Sequence, residues 1–137
     1  MRRLLPAALL ALSLCACTRD PGPDATYRAL ARAVSERDAD AAWALLSEGS
    51  HRWLEGQARR AAAAAPGVVA PSARAMLVGD AALGVRPPAA ISVTPGSGGE
   101  RAVLRVEPAG GGAPSEVLVV REAGRWKVEL PLPGPPR

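Results

Sequence analysis

The sequence predicts an α+β fold in which N-terminal helices pack on one face of a curved antiparallel sheet. Apolar residues in the first half of the chain recur with the spacing i, i+3, i+4, which is typical of one helix face. After Pro88 the apolar residues alternate with polar ones, which is typical of strands with one buried face. Clusters of Gly and Pro separate the alternating segments, as expected for strands joined by short loops. We expect a single domain over residues 24–131, followed by a Pro-rich tail over residues 132–137.

The first 16 residues have the organisation of a secretory signal peptide. The basic pair Arg2 and Arg3 precedes an apolar segment from Leu4 to Leu14, and the small residue Ala16 stands before the expected cleavage point. The apolar segment is too short to span a bilayer, which takes roughly 20 residues. We expect residues 1–16 to be removed and residues 17–23 to form a short polar tether, because Pro and Gly there interrupt helix and strand.

The end of this segment resembles the lipobox of bacterial lipoproteins, and the residues that carry the resemblance are Leu14-Cys15-Ala16-Cys17. The resemblance implies that Cys17 receives the lipid and anchors the chain to the bilayer of the cell envelope. Cys15 is the rival acceptor, but it would place Leu14 at the cut, where a small residue is expected. An ordinary secretory signal with incidental cysteines is the alternative. In Gram-negative bacteria, Asp directly after the lipidated cysteine is typical of lipoproteins that stay in the inner membrane. This chain has Thr18 at that position, which resembles lipoproteins sent to the periplasmic face of the outer membrane.

The composition of the mature chain excludes several classes of function. Of 17 basic residues, Arg2 and Arg3 leave with the signal, so 15 face 13 acidic ones and the formal charge falls from +4 to +2. Acidic residues stand between the basic ones along the chain, so we expect no nucleic-acid partner. One His and no free Cys argue against a zinc site, and no calcium-loop spacing is present. We expect no metal and no cofactor.

Three helices and a shorter helical segment are predicted before the sheet. Asp24 is the expected N-cap of the first helix, whose apolar face consists of Tyr27, Leu30, Ala31 and Val34. Asp38 is expected to cap a second helix that stops at Gly49, and Ser50 a third over residues 51–65. Residues 72–77 are a further helical segment, and residues 80–88 a loop.

Four strands follow. They are predicted at residues 90–94, 102–107, 117–120 and 125–130, with Ala123 and Gly124 as the tight turn before the last. The third strand is apolar on both faces and is therefore expected in the interior of the sheet. The inward residues of the last strand are Trp126, Val128 and Leu130.

Two segments resemble the NTF2-like (cystatin-like, cone-shaped) domain of small bacterial lipoproteins. Residues 37–47 resemble its helix pair, and residues 122–129 resemble its closing hairpin. The resemblance implies a pocket between the helices and the sheet. The Ala- and Pro-rich middle of the chain and the scarcity of aromatic residues depart from that family's pattern.

Five residues are candidates for such a pocket: Tyr27, Trp43, His51, Asp80 and Trp126. His51 or a buried Asp80 could act as a base, and Tyr27 as an acid. Each also has a structural alternative: a core position for Tyr27, a solvated helix start for His51, and a loop cap for Asp80. The tryptophans are either large core residues or, where exposed, part of a binding surface.

The leading hypothesis is a membrane-tethered, non-catalytic domain that binds an envelope protein or a small apolar ligand. Enzymes of the isomerase or dehydratase type occur in the fold that the chain resembles, so an enzyme is the first alternative. A homodimer or scaffold module is the second, and an exposed row of Val103, Leu118 or Val120 on the sheet would favour it.

Overall fold

The computed structural model describes residues 20–79 and 84–131, and it has the predicted α+β architecture. The helices are α1 (Pro23–Ser35), α2 (Ala39–Ala44), α3 (Glu48–Ala64) and α4 (Ala73–Leu77), and a 3₁₀ turn spans Ser97–Gly99. The strands are β1 (Pro88–Pro95), β2 (Arg101–Pro108), β3 (Ser115–Glu122) and β4 (Arg125–Glu129). They form one antiparallel sheet in the order β1-β2-β3-β4. The predicted signal peptide, Cys17 and the tail over residues 132–137 lie outside the described residues.

Helix α1 buries the face that its apolar spacing predicts. Tyr27, Leu30, Ala31 and Val34 are all buried. The predicted N-cap, Asp24, is wrong: the N-cap is Gly22, and Asp24 lies within the first turn. Pro23 causes the difference, because its fixed φ and missing N–H suit the first helical position. Asp24 then favours the helix through its charge near the positive end of the helix dipole.

The boundary between α2 and α3 differs from the prediction. Asp38 caps α2 as expected, but the predicted stop at Gly49 is wrong because α2 ends at Ala44 and Gly49 lies inside α3. The predicted cap at Ser50 is also wrong, since the side chain of Ser47 caps α3 by accepting the Ser50 N–H.

The reason is tertiary pairing of the chain just before α3 with the edge of β4. Leu46 forms a parallel bridge to Val128. The Val128 N–H donates to the Leu45 carbonyl, and the Ser47 N–H donates to the Val128 carbonyl, both at 2.9 Å. These bonds satisfy backbone groups that an open sheet edge would leave free, and they interrupt the helix.

The fourth helix and the strands follow the predicted pattern. Ser72 caps α4, and α3 ends two residues before Pro66. Strand β3 lies between β2 and β4, which confirms its interior position. The turn between β3 and β4 has positive φ at both central residues, 48° at Ala123 and 76° at Gly124, as a type I′ hairpin requires.

The core lies between the helices and one face of the sheet, here called the inner face. In β2, Ala102, Leu104 and Val106 are buried while the residues between them are exposed, which confirms the predicted alternation. The register places Val119 and Val128 beside Ala102 on this face. The three tryptophans are half-buried and pack against the edge of this core.

Candidate functional site

The structure distributes the sequence candidates over separate places. Tyr27 lies in a cleft at the end of the sheet formed by the β2–β3 loop. Trp43 and His51 come together on the helical layer, and Trp126 lies near the β3–β4 turn, at the other end of the sheet. Asp80 and Cys17 lie outside the described residues.

The cleft beside Tyr27 contains two adjoining cavities of about 280 and 200 Å³. Tyr27, Gly84 and Ser115 line both of them. The larger cavity continues to Val106, Pro108 and the loop after β2. The smaller one is mostly apolar, and its other walls include Val85, Val117, Val128, Leu130 and Pro131. The cleft can therefore hold a small apolar group.

The Tyr27 hydroxyl is occupied by backbone groups. It donates to the Arg86 carbonyl at 3.3 Å and accepts from the Arg86 N–H at 3.4 Å. Burial raises the pKa of the Tyr27 hydroxyl above its usual value of 10.0, and the hydrogen bond with the Arg86 backbone opposes part of that increase. The side chain is therefore neutral at physiological pH and holds the chain before β1 against α1.

Trp43 and His51 form a stacked pair that joins α2 to α3. Their ring centroids are 4.1 Å apart and the rings are within 4° of parallel. The His51 Nε2 lies 2.8 Å from the Trp43 carbonyl oxygen, so that nitrogen carries the proton and donates. The Arg74 guanidinium lies 5.4 Å from the centre of the Trp43 ring and pairs with Asp40. These contacts give His51 a structural role, because its Nε2 proton is bound to the backbone.

Near the β3–β4 turn, Arg121 connects Asp20, which precedes α1, to the sheet. Its guanidinium lies 3.3 Å from an Asp20 carboxylate oxygen and 5.6 Å from the centre of the Trp126 ring. Its Nε also donates to the Gly124 carbonyl at 3.3 Å. A groove of about 610 Å³ opens beside these residues, and its walls include Asp20, Pro21, Thr26, Leu45, Arg125, Trp126 and Lys127.

The outer face of the sheet, opposite the helices, carries the apolar row Val103, Leu118 and Val120, and one of these residues is exposed. Val103 is 37% exposed, whereas Leu118 and Val120 are half-buried. Charged residues flank the row on the same face, including the neighbouring pair Arg105 and Glu116.

Neither His51 nor Tyr27 is part of an acid–base pair in the described residues. Within residues 20–79 and 84–131, no hydrogen bond joins His51 or Tyr27 to a carboxylate, and no group of three or more His, Cys, Asp or Glu could hold a metal. In the same part of the chain, no helix has both the length and the apolar character needed to cross a bilayer.

Sequence reasoning missed most of the cleft wall. Ser115 and Val117 share a face by the period-2 pattern of β3, which was a usable signal. No sequence pattern indicated that Gly84 or Pro131 lines the cleft, because only the folded chain brings their loops to Tyr27. The contact between Asp20 and Arg121, which joins residues 101 positions apart, also had no local signal.

No protein-family model matches this chain, and no curated protein or solved structure is significantly similar to it.

Proposed function

We propose that this chain is a cell-envelope lipoprotein, anchored through Cys17, whose NTF2-like domain binds a small apolar ligand in the cleft beside Tyr27 and catalyses no reaction. The observation that carries the proposal is the mostly apolar cavity between Tyr27, Val117 and Leu130. The lipobox-like residues before Cys17 support the anchor. The order of elements, helices first and then an antiparallel meander, supports the NTF2-like type.

The dimensions of the cleft define the class of ligand. Pockets for drug-sized molecules typically measure about 300–1,000 Å³. The two cavities, at about 280 and 200 Å³, are smaller. They suit a single ring, the end of an acyl chain, or one apolar side chain of a partner. Burying such a group is favourable by about 25 cal/mol for each Å² of apolar surface removed from water.

The cleft is tested with the fluorescent probe 1-anilinonaphthalene-8-sulfonate, whose phenyl group is a single ring of the size that the cavities suit. The protein is the mature chain, residues 17–137 with Cys17→Ser, secreted without lipid so that neither detergent nor acyl chains bind the probe. We expect saturable fluorescence enhancement that Ser115→Trp abolishes, because Ser115 lines both cavities and the indole would fill them.

Ser92→Trp is the matched control. Ser92 is also an exposed serine within a strand, but it pairs with Arg105 on the outer face of the sheet. Enhancement that survives Ser115→Trp as well as it survives Ser92→Trp would exclude the cleft as the binding site.

The anchor is tested in bacterial cells by metabolic labelling with radioactive palmitate. We expect the wild-type chain and Cys15→Ala to incorporate label, because Cys15 leaves with the signal peptide. Cys17→Ala is expected to lose the label completely. Equal labelling of Cys17→Ala would contradict the assignment of Cys17 as the lipid acceptor.

A further inference from the structure

We propose that the end of the domain at the β3–β4 turn lies against the membrane, with Trp126, Arg125 and Lys127 in contact with anionic phospholipid headgroups. This inference rests on the proposed acylation of Cys17. It adds an orientation and a lipid partner that acylation alone does not specify, because an anchor on a long tether would leave the domain free to rotate.

The first step is the length of chain between the anchor and the fold. Asp20 is held at the sheet by Arg121, at 3.3 Å, and its side chain is only 29% exposed. Arg121 also binds the Gly124 carbonyl, so Asp20 is attached through Arg121 to the β3–β4 turn. Cys17 precedes Asp20 by three residues, which span at most about 11 Å. Acylated Cys17 lies at the bilayer surface, so Asp20 lies within that distance of the headgroups. The β3–β4 turn, which Asp20 reaches through Arg121, lies next to it.

The second step is the chemistry of the surface that this geometry brings to the bilayer. Trp126 is half-buried and lines the groove beside Asp20, together with the apolar residues Pro21 and Leu45. Tryptophan is enriched where proteins meet the headgroup layer, because its ring is apolar and its N–H is polar. Basic residues close to an anionic lipid surface add electrostatic attraction. Arg125 is exposed and directly follows the turn, and Lys127 lines the same groove.

The acidic residues in the neighbourhood do not cancel this attraction. Asp20 is paired with Arg121, so these two charges compensate each other. The carboxylate of Glu122 accepts the Glu48 N–H at 3.2 Å and is therefore directed at the start of α3. Glu122 keeps its negative charge and stands opposite Arg125 in the register of β3 and β4. Arg121, Arg125 and Lys127 carry one positive charge more than Asp20 and Glu122, so these five residues have a net charge of +1. The Lys127 ammonium also donates to the Ala44 carbonyl.

The third step is the contrast with the cleft. Strand β3 has eight residues and connects the loop after β2 to the turn at Ala123 and Gly124. The seven intervals between them, at about 3.3 Å each, place the two ends of the strand about 23 Å apart. Ala109, in the loop after β2, is therefore expected well outside the headgroup layer. The Tyr27 cleft, whose walls include residues of that loop, is expected to open away from the membrane.

The test uses the full-length acylated protein in vesicles of phosphatidylethanolamine and phosphatidylglycerol that contain a headgroup spin label. A fluorophore is attached to either Ala123→Cys or Ala109→Cys, since each introduced thiol is the only one in the mature acylated chain. Both residues are exposed, and they mark opposite ends of β3. We expect quenching at position 123 to be several-fold stronger than at position 109.

Two further variants separate the contribution of the Asp20–Arg121 contact from that of the basic residues Arg125 and Lys127. Arg121→Gln in the Ala123→Cys background should reduce the quenching ratio towards one, because Asp20 is released. Arg125→Gln with Lys127→Gln should make the ratio independent of phosphatidylglycerol. Equal quenching at both positions in acylated, vesicle-bound protein would overturn this inference and leave the proposed function intact. Absence of the acyl chain on Cys17, measured by mass spectrometry of the same sample, would overturn both.

Discussion

The two ends of the sheet are held by different kinds of interaction. At the turn end, the contacts are polar and partly exposed: Arg121 binds Asp20 and the Gly124 carbonyl, and Glu122 binds the start of α3. At the cleft end, the contacts are mostly apolar and buried, and Leu130 is only 3% exposed. Exposed ion pairs contribute little to stability, whereas buried aliphatic side chains contribute much. We therefore expect the cleft end to contribute more to stability, while the turn end positions Asp20 and the chain that leads to the proposed anchor.

The largest effect is expected from Leu130→Ala, at the cleft end. Removing a buried leucine side chain costs about 2–5 kcal/mol, because the transfer free energy is lost and a cavity remains. Denaturant unfolding of the mature chain measures this loss. Val69→Ala is the control, since Val69 is 97% exposed and its truncation should change the free energy of unfolding by less than about 0.5 kcal/mol. A loss below that same value for Leu130→Ala would show that the cleft end does not contribute to the core.

A smaller loss is expected from Ser50→Ala. The buried Ser50 hydroxyl accepts the Leu130 N–H at 2.9 Å, so the substitution leaves a buried donor without its partner. Such a loss costs about 1–3 kcal/mol. Ser35→Ala is the control, because Ser35 is exposed and its hydroxyl donates to the Ala31 carbonyl within its own helix. Equal free energies of unfolding for the two variants would show that the Leu130 N–H is satisfied in another way.

Next in size is the effect of Tyr27→Phe, which removes one hydrogen-bonding hydroxyl and should cost about 0.5–1.5 kcal/mol at neutral pH. Because burial raises the pKa of Tyr27, the folded state favours the neutral hydroxyl. The stabilisation is fully present below the unfolded-state pKa of 10.0 and is lost as pH rises through the higher folded-state pKa.

Tyr27 is the only tyrosine in the chain, so tyrosinate absorbance reports this group alone. We expect a titration midpoint above 10.0 in the folded protein, and a smaller loss of stability at alkaline pH in Tyr27→Phe. A midpoint at or below that value would contradict the buried, backbone-bonded hydroxyl.

The smallest effect is expected at the turn end. Arg121→Gln should lower the free energy of unfolding by about 1 kcal/mol or less, because the pair with Asp20 is partly exposed. A double-mutant cycle with Asp20→Asn measures the coupling, and Arg125→Gln, on the same hairpin, is the control and should not couple to Asp20. A coupling free energy well above about 1 kcal/mol would show that the turn end also contributes strongly to stability, against the expected difference between the two ends of the sheet.

Local signals predicted most of the helices and strands, although Pro23 moved the start of α1 from the predicted cap Asp24 to Gly22. Asp38 caps its helix as expected, because a cap depends on a side chain and a backbone N–H three residues away. The period-2 burial of β2 follows in the same way from the geometry of a single strand. The prediction failed at Gly49 and Ser50, where pairing of Leu46 with the distant Val128 competes with helix continuation.

The candidate site was predictable only in its single residues. Tyr27 was identified from its place on the apolar face of α1, and it does line the cleft. The stack of Trp43 on His51 was not foreseen, because a break in the helix between them determines whether the two rings meet.

The sequence by itself determined the α+β content, the order of helices and strands, and the buried faces of α1 and β2. These features depend on neighbours a few residues apart, whose spacing is visible in the chain. Only the tertiary structure decided that Asp20 meets Arg121, that Ser50 completes the edge of β4, and that Tyr27 lies between Gly84 and Ser115. Those contacts join residues far apart in the chain, and which of them form depends on how whole elements pack together.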